Sequence, residues 1–172
     1  AKDVRVTIMG DKIATVTAGA SAGSTDIRVG VLIPGMANLH SHAFQRAMAG
    51  LAEMRGPSAD SFWTWRDTMY HFAQRLDPDQ MQAVAEMAYV EMLEAGFTRV
   101  GEFHYLHHDR DGQPYADPAE MSLRILAAAT GTGISLTHLP VFYAHSDFGG
   151  QPANQGQRRF THDLDTYARL ID

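Results

Sequence analysis

The sequence predicts an α/β protein with a mainly parallel sheet, and the order of its elements is the basis of that prediction. After an apolar strand that ends at His42, a helix pattern, a glycine and a strand pattern follow one another twice. Successive crossover units of this kind place their strands in parallel. Because neither a dinucleotide-binding fingerprint nor a phosphate loop follows the first strand, a barrel is favoured over a nucleotide-binding sheet.

The composition is that of an acidic globular protein. The chain has 172 residues, 45% of them hydrophobic, and 14 basic against 20 acidic residues give a formal net charge of -6. No basic run occurs, which disfavours nucleic acid and anionic membranes as partners. The chain has no cysteine, which excludes disulfides and thiolate metal sites. Since no stretch has the length of a membrane span and no signal-peptide pattern opens the sequence, we expect a cytoplasmic protein.

The first 32 residues contain short β patterns. We predict strands at residues 4–8, 13–16 and 27–31, with a hairpin turn at residues 9–12 and a loop at residues 18–24. So few strands are not stable alone, and we expect this β unit to pack on another part of the protein.

A His-x-His pair stands at the end of the following strand. Side chains alternate between the faces of a strand, so His40 and His42 project to the same side. Two ring nitrogens on one rigid face can bind a divalent ion such as zinc when further ligands arrive from elsewhere. Such pairs also arise by chance as structural histidines. The position at the carboxyl end of a parallel strand, where sites of this fold class lie, favours the metal interpretation.

An aromatic segment follows the pair. We predict a short helix at residues 44–51, a Gly-, Pro- and Ser-rich connection that ends at Ser61, and a helix at residues 62–72 that contains both tryptophans. The aromatic rings are expected to pack in the core. Arg66 lies among them and needs a carboxylate partner, either from the protein or from a substrate.

Two helix–strand units complete the chain. Asp77 as cap, Pro78 in the first position and Gln80 in the third form a capping-box pattern that begins a helix. This helix closes at Gly96, and a strand is predicted at residues 97–103. A second helix begins at residues 117–120, ends at a glycine at 131 or 133, and precedes a strand at residues 134–143. Residues 164–172 form a terminal helix without a stop signal, so we expect the chain to be part of a longer polypeptide.

The layout predicts that polar side chains collect where the parallel strands end. These residues are His40, His42, Gln45, His104, Tyr105, Tyr143 and His145. We interpret His107 and His108 as surface residues or as residues that only support the site, and His145 as part of a loop over it. A serine nucleophile is poorly supported because the chain has no Gly-x-Ser-x-Gly elbow.

Four segments carry a family resemblance. Residues 34–42 resemble the first-strand motif of the amidohydrolase superfamily, whose members are distorted barrels with one or two metals. More narrowly, residues 42–50, 62–66 and 101–108 are similar to the formimidoylglutamate deiminases. The resemblance implies that residues 33–172 are the first three β/α units of a metal-dependent (β/α)8 TIM-like barrel, and that residues 1–32 contribute strands to a small accessory β-sandwich.

The resemblance also implies a reaction and a set of site residues. His40 and His42 would be the first ligands of a single zinc ion, and Gln45, Arg66 and Tyr105 would contact the substrate. The reaction is the hydrolysis of N-formimino-L-glutamate to N-formyl-L-glutamate and ammonia in histidine degradation. The other ligands and the acid/base residue lie on later strands, so we expect the 172-residue piece alone to be inactive. A homodimer is compatible with the sequence.

Two alternatives stay open. A deaminase or chlorohydrolase of the same superfamily that acts on a nitrogen heterocycle would use the same histidine pair, although Arg66 and Tyr105 favour an acidic, flexible substrate. A non-catalytic barrel in which the histidines are structural would retain no metal.

Overall fold

The structure, a computed structural model, describes residues 2–52 and 62–172, and the side chains of the second range from residue 64 onward. The chain divides into two compact units, with the boundary after Pro34. The connection predicted to end at Ser61 lies outside the described residues, and so does the side chain of Trp63.

The first unit is a β-hairpin. Strands β1 (Val4–Met9) and β2 (Lys12–Ala18) pair antiparallel around a two-residue turn, as predicted. Gly10 opens this turn with φ at +63°, a left-handed conformation that glycine adopts without steric cost. The strand predicted at residues 27–31 is wrong, because these residues form no ladder with β1 or β2. Just before them, Asp26 accepts hydrogen bonds from Arg5 at 2.8 and 3.0 Å.

The second unit is built on three parallel strands. They are β3 (Met36–Ser41), β4 (Phe97–His104) and β5 (Ser135–Pro140), with β4 in the centre. This arrangement confirms the predicted parallel sheet. Gly35 precedes β3 where β4 passes closely, since a Cβ at this position would clash with the side chain of Thr98. The glycine of the motif is therefore required by the approach of the two strands.

In the described residues, two α-helices lie between β3 and β4, one lies between β4 and β5, and one follows β5. The bounds are α1 (Phe62–Ala73), α2 (Pro78–Glu94), α3 (Glu120–Thr132) and α4 (Leu164–Ile171). Asp77 forms the predicted capping box with Gln80 at the start of α2, and Gly133 ends α3 with φ at +83°. The helix predicted at residues 44–51 is instead a 3-10 helix at Ala43–Met48. Among the described residues, no helix combines the length and hydropathy needed to cross a membrane.

Helices α2 and α3 cover one face of the sheet and form the core with it. Met81 and Tyr89 of α2, Met121 and Ile125 of α3 and Val100 of β4 are fully buried. Both methionines act as core residues.

Arg159 is a fully buried cation that joins distant segments. Its guanidinium donates hydrogen bonds to the carbonyl oxygens of Ala73, Leu76 and His108, the last two at 2.8 Å. Ala73 is the last residue of α1, where carbonyl groups lack partners within the helix and a positive charge is favourable. Arg159 thus fixes the end of α1 to the chain that follows β4.

Five histidines form a cluster beside β4 and β5, in which His138 is half-buried and the other four are buried. The ring centroids of His104 lie 5.4 Å from those of His107 and His138, and His162 lies 4.6 Å from His107 and 4.7 Å from His108. The interpretation of His107 and His108 as surface residues is wrong, because their exposed fractions are 1% and 8%. Within the described ranges, no three His, Cys, Asp or Glu side chains are arranged to hold a metal ion.

Burial keeps the imidazoles of His104, His107, His138 and His162 neutral. Desolvation lowers the pKa of His107 to about 3, and nearby His162 lowers it further. It also lowers the pKa of His138 and of His162 to about 4, and that of His104 well below its ordinary value. Protonating any of them would place a positive charge in an interior that solvates the charge poorly.

Replacing Arg159 should destabilise the protein strongly. In the Arg159→Met variant the buried carbonyls lose their donors, so we expect the free energy of unfolding of the full-length protein to fall by about 3 kcal/mol or more. Urea denaturation measures the change. The neighbouring Arg158 donates to two carbonyls at 2.7 Å in a solvent-exposed setting, where water can replace it. An Arg158→Met variant that destabilises as strongly would contradict a special role for burial.

The histidine cluster should make stability fall in mild acid. His138 titrates near 6.5 in the unfolded chain and near 4 in the folded chain, so the unfolded state gains the proton first as pH falls below about 6.5. Replacing it in His138→Leu should recover on the order of 1 kcal/mol of unfolding free energy between about pH 7.5 and about pH 5.5. Urea midpoints at both pH values measure this. His71→Leu, at an exposed position on α1, is the matched control and should keep the wild-type pH dependence.

Candidate active site

His40 and His42 converge at the carboxyl end of β3. Their Nε2 atoms lie 2.9 Å apart and their ring planes meet at 86°. Two zinc–nitrogen bonds of about 2.0–2.1 Å that meet at about 90–110° hold their nitrogens about 2.9–3.4 Å apart. The spacing therefore fits two ligands of one ion. A direct hydrogen bond between the rings would require one of the two Nε2 atoms to carry a proton.

Phe103 of β4 orients both rings. Its carbonyl oxygen accepts a hydrogen bond from Nδ1 of His42 at 2.9 Å, which leaves the Nε2 lone pair available as a ligand. Its ring stacks on His40 with centroids 4.5 Å apart. Desolvation lowers the pKa of His42, and neighbouring His40 lowers it further, so His42 is held in its neutral form. The tautomer and the ring positions suit metal binding.

Glu102 secures the backbone beside the pair. This fully buried carboxyl accepts a hydrogen bond from the backbone N–H of Ala43 at 2.6 Å. Burial raises its pKa to about 7, while interactions with Ala43, Ser41 and Tyr89 oppose that rise. The sequence interpretation missed this residue. An acidic side chain between Gly101 and Phe103 inside a strand was the available signal, because a buried charge needs partners.

The three expected substrate residues lie on different elements. Tyr105 follows β4, and its ring centroid lies 5.3 Å from that of His42. Arg66 on α1 has its guanidinium carbon 5.7 Å from the centroid of Tyr70, a cation–π arrangement. Gln45 lies in the 3-10 helix with Nε2 3.7 Å from the sulfur of Met69 on α1. The structure thus brings Tyr105 to the histidine pair and sets Arg66 and Gln45 at α1.

We predicted that the side chain of His104 would lie with the other polar residues where the parallel strands end. This prediction is wrong. Successive residues of a strand face opposite ways, so while the ring of Phe103 meets His40, His104 points into the buried cluster. Tyr143 is half-buried near Tyr105, with ring centroids 6.3 Å apart. His145 is exposed two residues later. Gln157, which the sequence interpretation also missed, donates a hydrogen bond to the hydroxyl of Tyr143.

The residues present fit part of a metal site. Two imidazoles with converging Nε2 atoms provide two ligands, and no third His, Asp or Glu completes the set within residues 2–52 and 62–172. A tetrahedral catalytic ion takes three protein ligands and a water. The remaining ligands would have to come from other parts of the full-length protein.

Comparisons with known proteins agree with this arrangement. The model of the amidohydrolase family matches residues 31–170. The formimidoylglutamate deiminase of Pseudomonas aeruginosa is 55% identical over 172 residues, which cover 99% of this chain and 38% of that protein. The 8-oxoguanine deaminase of the same organism is 29% identical over 76 residues, 44% of this chain and 16% of that protein. The chain therefore spans well under half the length of the curated relatives it matches.

Solved structures show the same relationship. An amidohydrolase from Brucella melitensis has a TM-score of 0.92 at 64% identity, covering 98% of this chain and 38% of that one. A guanine deaminase from C. acetobutylicum with bound guanine has a TM-score of 0.67 at 19% identity, covering 98% of this chain and 37% of that one. At this identity the likeness is one of fold alone. Because the family model covers most of the sequence and contains the histidine pair, the chain belongs to the amidohydrolase family.

Proposed function

We propose that the full-length protein carrying this chain hydrolyses N-formimino-L-glutamate to N-formyl-L-glutamate and ammonia. The structural observation that supports the proposal is the converging pair of His40 and His42, here called the histidine clamp, beside Tyr105. The 55% identity with a formimidoylglutamate deiminase over 99% of the chain supports the choice of substrate.

In this proposal His40 and His42 hold one divalent ion, with zinc favoured by the nitrogen ligands. When bound, such an ion would supply the Lewis acidity that makes a water molecule a better nucleophile toward the formimino carbon. Phe103 fixes the two rings, and Glu102 fixes the backbone that follows His42. The proton that the departing nitrogen needs comes from an acid/base residue beyond this chain.

The proposal assigns substrate binding to Gln45, Arg66 and Tyr105. Arg66 provides the charge that a carboxylate requires, and a guanidinium can bind a carboxylate with two parallel hydrogen bonds. Tyr105 lies next to His42 and can contact the polar formimino group. Gln45 provides an amide from the 3-10 helix that follows the histidine pair.

The proposal includes a complete barrel. A (β/α)8 barrel takes about 250 residues, of which residues 33–172 supply the first three β/α units. Residues 1–32 contribute to an accessory β-sandwich. The enzyme would act in the cytoplasm, as part of histidine degradation, on a small-molecule substrate and as a homodimer.

A heterocycle deaminase is the second candidate, supported by the local match to an 8-oxoguanine deaminase. Ammonia release separates the two. The full-length protein should release ammonia from N-formimino-L-glutamate, and turnover of 8-oxoguanine or guanine in its place would overturn the leading proposal.

Removing one imidazole of the clamp should abolish metal retention. In His42→Ala only one of the two converging nitrogens remains, so we expect bound metal to be lost and kcat/KM to fall about 100-fold or more. Elemental analysis of the purified full-length protein measures the metal directly. His71→Ala, at an exposed position on α1, should retain both metal and activity. Full metal occupancy in His42→Ala would contradict the clamp.

Replacing Arg66 should weaken substrate binding. Arg66→Met keeps an unbranched apolar stem and removes the guanidinium charge, so we expect KM for N-formimino-L-glutamate to rise about 10- to 100-fold. Steady-state kinetics of ammonia release measure this. Arg75→Met, exposed just beyond the end of α1, is the matched control. Equal KM values for the two variants would exclude a role of Arg66 in binding the carboxylate.

A further inference from the structure

Three tyrosine rings pack around the buried ring of Phe160. The centroid of Phe160 lies 6.0 Å from that of Tyr70, 5.8 Å from Tyr105 and 5.9 Å from Tyr143. Phe160 is only 3% exposed, while the three tyrosines are half-buried. A well-packed aromatic platform of this kind fixes where the phenol groups lie.

Gln157 determines the hydrogen-bonding direction of two of these phenols. Its side chain is 1% exposed, and Nε2 donates to the hydroxyl oxygens of Tyr70 at 3.0 Å and Tyr143 at 2.8 Å. Its Oε1 accepts from the backbone N–H of Asn154 at 2.9 Å. Because that N–H can only donate, the amide has a single orientation, with both Nε2 protons toward the phenols.

Both phenol oxygens therefore act as acceptors within the protein. The hydroxyl protons of Tyr70 and Tyr143 remain to be donated, and in the described part of the chain no protein group accepts either of them. Two fixed, partly buried O–H donors side by side form a site for an acceptor from outside the protein. Burial and the neighbouring Tyr70 raise the pKa of Tyr143, so its hydroxyl carries the proton at neutral pH.

The surroundings identify the acceptor as an anion. The guanidinium of Arg66 lies over the ring of Tyr70 and also acts electrostatically on Tyr143. Tyr105 lies between this group and the histidine clamp, with centroid distances of 6.3 Å to Tyr143 and 5.3 Å to His42. A molecule whose reacting carbon is at the clamp can therefore extend a carboxylate past Tyr105 to the two phenols.

We propose that Tyr70 and Tyr143 donate their hydroxyl protons to a carboxylate of the substrate, and that Gln157 is the positioning residue that directs both. This inference rests on the proposed function and names two carboxylate-binding groups in addition to Arg66. The two phenols contribute to the preference for an acidic substrate, because a neutral heterocycle lacks the carboxylate to accept their protons.

Tyrosine-to-phenylalanine variants of the full-length protein test the inference. Each of Tyr70→Phe and Tyr143→Phe removes one hydroxyl and keeps the ring on Phe160, so we expect KM for N-formimino-L-glutamate to rise about tenfold with kcat within about twofold. Tyr167→Phe is the matched control. Its hydroxyl donates to the carbonyl of Pro140 at 2.7 Å, and both kinetic constants should stay at wild-type values.

Two further measurements separate binding from general disruption. N-propylformamidine carries the reacting group without a carboxylate, so its kcat/KM should be the same in wild type, Tyr70→Phe and Tyr143→Phe. In Gln157→Glu the new carboxylate would accept the protons of both phenols and withdraw them from the substrate. We expect its KM for N-formimino-L-glutamate to rise as far as in the Tyr70→Phe/Tyr143→Phe double variant.

The outcomes distinguish this inference from the proposed function. Wild-type turnover of N-formimino-L-glutamate with unchanged KM in both single variants would overturn the phenol pair and leave the function intact. Equal losses on the carboxylate-free amidine would also overturn it. If the wild type releases no ammonia from N-formimino-L-glutamate, the proposed function fails. Calorimetric binding of glutarate to wild type and to Tyr143→Phe then still decides the pair, since equal affinities would overturn it.

Discussion

The parallel pairing of β3 with β4 is the constraint on which the candidate site depends. Phe103 and Glu102 are adjacent on β4, and they hold His42 and the following Ala43 by hydrogen bonds of 2.9 and 2.6 Å. Because side chains alternate along a strand, a shift of one residue in this register would exchange the faces of Phe103 and Glu102. The two imidazoles converge only while that register is kept.

The two faces of β4 serve different purposes. On one face, the ring of Phe103 stacks on His40 beside the candidate metal site. On the other, Glu102 and His104 are fully buried among polar neighbours that burial keeps largely uncharged. Such buried polar groups make stability sensitive to protonation. Glu102 also makes the position of β4 specific, because its hydrogen bond with the backbone of Ala43 forms in only one arrangement.

Three residues of the short segment 157–160 connect the candidate recognition region to the fold. Gln157 directs the phenols of Tyr70 and Tyr143, Arg159 binds carbonyls at the end of α1, and Phe160 supports the tyrosine rings. Arg66 and Tyr70 both lie on α1, so the same short segment fixes the helix and the side chains it presents. Binding groups on rigid elements lose little conformational entropy when a ligand is bound.

The sequence by itself determined the hairpin, the capping box at Asp77, the parallel order of the strands and the common direction of His40 and His42. These features follow from local rules of turn chemistry, capping and side-chain alternation. Only the tertiary structure decided that His104 and His107 are buried, that Glu102 supports the pair, and that Gln157 directs two phenols. Ala43, the partner of Glu102, lies 59 residues away in the sequence, and Tyr70, a partner of Gln157, lies 87 residues away. Burial and hydrogen bonding over such separations depend on which segments pack together, and no local pattern encodes that.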